Sequence, residues 1–70
     1  MSAKVKGENL DVSFAGGASK SWPIPKRDDK IGIRRVRDAA VQFAEENGAT
    51  IGQVFAVKKA LTDAGYHLVK

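Results

Sequence analysis

The stretch Phe43-Ala44-Glu45-Glu46-Asn47-Gly48-Ala49-Thr50-Ile51-Gly52-Gln53-Val54-Phe55-Ala56-Val57 decides the fold. Asn47-Gly48 is a helix stop, because either residue can take the left-handed conformation that closes a C-terminus. Thr50 is a helix start, because its hydroxyl can accept a bond from a first-turn N–H. One helix therefore ends and another begins within a few residues. Working backwards, Ile33, Val36, Ala40, Phe43 and Ala44 recur at three- and four-residue spacing, which predicts a helix over Ile31 to Glu46 with one apolar stripe. Asp28 or Asp29 is placed to cap it. Working forwards, Val54, Val57 and Leu61, helped by Ile51, Ala60 and Ala64, form the stripe of a second helix that stops at Gly65.

The flanks read as strands. Leu10, Val12 and Phe14 alternate with Asp11 and Ser13, the period of a strand with one wet face. Ala15-Gly16-Gly17-Ala18-Ser19 supplies turn residues, and Ser21-Trp22-Pro23-Ile24-Pro25 follows, with Trp22 and Ile24 on one side. The two segments predict a β-hairpin, its second strand confined to an edge because Pro23 and Pro25 cannot donate to a ladder. Residues 1–8 read as a flexible polar lead-in. Tyr66-His67-Leu68-Val69 reads as a short closing strand, with Tyr66 and Leu68 facing in. The expected architecture is one small α+β domain over residues 1–70, in the order ββααβ, with a two-helix corner laid across a small sheet.

Composition bounds what such a domain can do. A chain of 70 residues buries only about 60% of the surface its unfolded form exposes, which leaves a homodimer open as a source of extra stability. With no cysteine, neither a disulfide nor a thiolate metal site is available. Twelve Lys/Arg against eight Asp/Glu give a net charge of +4, which attracts polyanions. No apolar run approaches the roughly 20 residues that span a bilayer. The lysines near Met1 are followed by no apolar block of the secretory kind, so a cytoplasmic location is expected.

The helical corner resembles the helix-turn-helix of bacterial and phage DNA-binding regulators. The resemblance rests on small Ala44 in the first helix, Gly48 four residues on at the turn, Ala49 and Thr50 after it, and Val54 and Val57 anchoring the second helix. Val54, Leu61, Gly65 and Tyr66 are also spaced as in winged-helix regulators, so the match runs from Phe43 to Val69. It implies a DNA-binding transcriptional regulator of phage or plasmid type, whose second helix enters the major groove. Thr50, Gln53 and Phe55 would then face the groove. Gln53 is the familiar base-edge reader among them and suits adenine. The same junction resembles that of ribbon-helix-helix repressors, which would need a strand over Lys30-Ile31-Gly32-Ile33-Arg34.

The basic residues fall into groups that fit phosphate contact. Lys26, Arg27, Lys30, Arg34, Arg35 and Arg37 surround the start of the first helix, and Lys58, Lys59 and Lys70 lie near the end of the chain. Arg34, Arg35, Arg37, Lys58 and Lys59 are the expected phosphate ligands. Lys26, Arg27, Lys30 and a base-stacking Trp22 are accessory candidates, although a lone tryptophan in so short a chain more often packs in the core. His67 is the sole histidine and has no partner at metal spacing. No acid/base pair, nucleophile with a base, or phosphate-loop motif is present, so neither an enzyme nor a cofactor is expected. The competing expectation is a protein-binding modulator that inhibits a host enzyme or transcription factor, using the apolar Ile51 and Phe55 and an open strand edge.

Overall fold

The computed structural model describes residues 1–68. The chain is α+β: three antiparallel strands, β1 (Ser2–Lys6), β2 (Asn9–Ser13) and β3 (Ser19–Pro23), precede two helices, α1 (Lys30–Glu46) and α2 (Ile51–Asp63). The strands form one sheet in the order β1-β2-β3, so β2 is central and β3, which ends on Pro23, lies at an edge, where a residue without an N–H is tolerated.

The hairpin of β2 and β3 forms as expected, but its second strand runs two residues earlier, Ser19–Pro23, and leaves Ile24 and Pro25 outside the sheet. Its loop is closed by Phe14 N–H to Ala18 O at 2.7 Å and Gly17 N–H to Phe14 O at 3.0 Å. The N-terminal residues correct the sequence reading. Residues 2–6 are not a flexible lead-in but strand β1, which pairs from Ser2↔Ser13 to Lys6↔Asn9. The Gly7-Glu8 connection has two residues, and Gly7 takes φ 63 while Glu8 stays negative. Positive φ at the first position alone is the II′ hairpin pattern, for which glycine is the natural residue.

Register separates the two sheet faces. Val5↔Leu10↔Trp22 and Ala3↔Val12↔Lys20 share the face that carries the core. The opposite face holds Ser2, Lys4, Lys6, Asn9, Asp11, Ser13, Ser19, Ser21 and Pro23, and across it Ser21 Oγ donates to the Asp11 carboxylate. Both helices cover the apolar face, α2 chiefly over β1 and α1 over β3. Leu10, Val12, Ile24, Ile33, Ala40, Ala44, Val57, Leu61 and Tyr66 are the buried core. Phe43 closes the β3 side, edge-on to Phe14 at 5.8 Å and to Trp22 at 5.6 Å. Trp22 therefore packs, half-buried, against α1.

The helix ends follow the capping logic. The Asp29 carboxylate accepts from Gly32 N–H at 3.0 Å, which fixes the start of α1. Asn47 is the C-cap, but it is Gly48 that takes the left-handed φ of 80. Ala49 N–H then returns to Ala44 O at 3.0 Å, and α2 begins at once. Lys30–Arg34 is helical, so the strand that a ribbon-helix-helix arrangement needs is absent there.

The expected closing strand is also corrected. Tyr66–Leu68 carries no strand, and Val69 lies outside the described residues. Tyr66 N–H donates to Leu61 O at 2.9 Å, so the segment folds back under α2 and does not join the sheet. Its inward side chains are as expected, Tyr66 buried and Leu68 half-buried against the core.

Candidate nucleic-acid interface

The basic residues near α1 divide by what they touch. Arg27 belongs to the scaffold: its Nη2 donates to Ala64 O at 3.1 Å and its guanidinium lies 4.9 Å from the centre of the Tyr66 ring. A cation at a helix C-terminus meets carbonyls that have no helical partner, and an aromatic face beneath it adds attraction. Lys30 does similar work, donating from Nζ to His67 O at 2.7 Å. Lys26 is exposed at the rim of a cleft of about 490 Å³ that it shares with Glu8, Ile24, Pro25, Arg27 and Tyr66.

Arg34 and Arg35 differ from these. Both are exposed on the outer side of α1, and among the described residues neither has a carboxylate partner. With Lys30, Ile31 and Asp38 they line a shallow groove of about 290 Å³. Arg37 is turned towards α2 and pairs with its neighbour Asp38 at 3.1 Å. It lines a small cleft of about 80 Å³ that also holds Lys58 and Leu61 of α2, with Tyr66 and Leu68 beneath. Arg37 of α1 and Lys58 of α2 thus line one cleft between the helices. Lys59 sits one residue further round α2 and pairs with Asp63 at 2.8 Å. Both members of that pair are well exposed, and pairs of this kind contribute only about 0.3–0.5 kcal/mol, so a phosphate oxygen can compete for the ammonium. Lys70 lies outside the described residues.

The residues expected to read bases from the start of α2 are otherwise employed. Thr50 Oγ1 accepts from Gln53 N–H at 3.2 Å, and Gln53 Oε1 accepts from Thr50 N–H at 2.9 Å. This reciprocal capping box satisfies donors that the first turn of a helix leaves open. Phe55 remains outward and 62% exposed, with Lys58 Nζ 5.7 Å from its ring centre. Ile51, one turn before it, is 78% exposed, and Ile31 on α1 is 71% exposed.

Sequence reasoning missed the cations of the sheet. Lys4 and Lys6 project from β1 onto the polar face, and Lys20 projects from β3 with Nζ 5.7 Å from the Trp22 ring. The alternation Ala3-Lys4-Val5-Lys6 was the signal for the first two. Among the described residues no acidic or histidine cluster could hold a metal ion, and no helix is long and apolar enough to cross a membrane. No family model, curated protein or solved structure matches the chain.

Proposed function

We propose that the chain is a small nucleic-acid-binding protein, of the kind that regulates transcription from DNA in phages or plasmids. The helical layer is its contact surface. Arg34 and Arg35 of α1, with Lys58 and Lys59 of α2, take phosphates, and Arg37 steadies the cleft between the helices. The observation that carries this reading is the pair Arg34 and Arg35, exposed and without carboxylate partners among the described residues, in a chain of net charge +4. Guanidinium forks suit phosphate oxygens. With Thr50 and Gln53 bonded to each other, affinity comes mainly from the phosphate backbone and tolerates changes of sequence.

The test is anisotropy of a labelled oligonucleotide at about 50 and 200 mM salt. Four phosphate contacts give a slope of log K on log salt of about −3.6 for a duplex. Absence of binding at the lower salt and micromolar protein removes the proposal. A second reading, a protein-binding modulator of a host enzyme or transcription factor, is favoured by the exposure of Ile31, Ile51 and Phe55. Retention of one stoichiometric protein from nuclease-treated lysate, with no oligonucleotide binding, selects it.

A further inference from the structure

Phe55 differs from the other aromatic residues of the chain. Phe14, Trp22 and Phe43 close the β3 side of the core through edge-on contacts, and Tyr66 is buried beneath Arg27. Phe55 alone among the described aromatics is exposed, at 62%. It projects from the outer side of α2, and the residues three and four positions on, Lys58 and Lys59, are its neighbours on the helix surface. Lys58 Nζ stands 5.7 Å from the ring centre.

An exposed ring with ammonium groups on the next turn matches a polyanion whose units carry flat π-faces. In a duplex those faces are stacked away, and phenylalanine has no donor or acceptor with which to read a base edge. Its use in a major groove is limited to apolar contact with a thymine methyl. Against an unpaired base the whole ring counts, because every base presents a π-face and stacking tolerates any sequence. The groups at the start of α2 that could read edges, the Thr50 hydroxyl and the Gln53 amide oxygen, are committed to the helix cap. The exposed pair Lys59–Asp63 is weak enough to yield its ammonium to a phosphate.

We infer that α2 carries a base-stacking platform, with Phe55 as the ring and Lys58 and Lys59 as its phosphate anchors, so that the helical layer takes single-stranded nucleic acid in preference to duplex. This rests on the nucleic-acid reading above and names the form of its ligand. The full chain is titrated into a labelled unstructured pyrimidine strand and into a blunt duplex of equal length. The single strand binds more tightly. Phe55→Ala weakens it roughly five- to a hundred-fold and leaves the duplex almost unchanged. Phe55→Trp retains single-strand affinity, and thermal unfolding confirms that both variants are folded. Equal loss on both ligands, or no loss on the single strand while Arg34→Ala/Arg35→Ala still weakens binding, overturns the platform and leaves the wider reading intact. No binding to either oligonucleotide overturns both. Capture of a stoichiometric protein that Phe55→Ala abolishes, without an effect on oligonucleotides, assigns the ring to a protein partner and also overturns the platform.

Discussion

Thr50 and Gln53 cap each other, the hydroxyl of one accepting from the backbone of the other at 3.2 Å and the amide oxygen of the second accepting in return at 2.9 Å. An adenine contact by glutamine uses both the amide oxygen and the amide nitrogen, so Gln53 can make it only by breaking the cap. Gln53→Ala is expected to leave the ranking of DNA sequences unchanged. Thr50→Ala is expected to lower stability by about 1 kcal/mol. Competition binding with a randomised duplex pool checks the first, and urea unfolding checks the second. A change of sequence preference in Gln53→Ala would show that the side chain leaves the cap to read a base.

Arg34 and Arg35 make the opposite prediction. They are exposed and close no contact of the fold, so Arg34→Ala and Arg35→Ala each change stability by no more than about 0.5 kcal/mol. Each is expected to weaken nucleic-acid binding evenly across sequences and to reduce the salt slope by about one. The same salt titration on each variant measures this. An unchanged slope in the double variant removes the phosphate role of this face.

Arg27 was grouped with these residues by sequence, but its contacts predict a different outcome. Arg27→Ala loses the bond to Ala64 O and the stack on Tyr66, both of which hold the end of α2. A loss of about 1–2 kcal/mol in chemical denaturation is expected. Arg27→Lys restores only part of it, because an ammonium lacks the planar fork. Loss of oligonucleotide affinity with stability unchanged would place Arg27 in the binding surface.

These cases show what the residues disclosed and where they fell short. The helices and their junction were legible because apolar spacing, Asp29, Gly48 and Thr50 all act locally. Strand β1 was not, because only Ala3 and Val5 face the core and both are half-buried, while Lys4 and Lys6 give it the look of a solvated tail. The C-terminal alternation of Tyr66 and Leu68 imitated a strand, yet the backbone there is occupied by bonds to Leu61 O and from Lys30 Nζ. The grouping of cations was visible, but their division was not. Arg27 and Ala64 lie 37 residues apart, and only the folded chain decides that this arginine serves a helix end while Arg34 does not.

Two glycines in the first turns of the helices give a final, sharper test of the packing. Replacing helical glycine by alanine ordinarily stabilises by about 0.5–1 kcal/mol, because the unfolded chain has less freedom to lose. Gly52→Ala is expected to follow that rule, since a Cβ there would meet nothing nearer than Thr50 Oγ1 at 3.9 Å. Gly32→Ala is expected to reverse it. A Cβ at Gly32 would lie 2.5 Å from Asp29 Oδ2 and 2.9 Å from Pro25 Cγ, a ring atom tied to the backbone that can move only by a change of pucker. Relief requires the Asp29 carboxylate to move and weaken the cap of α1, which is worth about 1 kcal/mol, and Pro25 to give way as well. The two midpoints in urea should therefore move in opposite directions, Gly52→Ala upwards and Gly32→Ala downwards. A rise for Gly32→Ala would mean that Asp29 and Pro25 do not close on the first turn of α1 in solution.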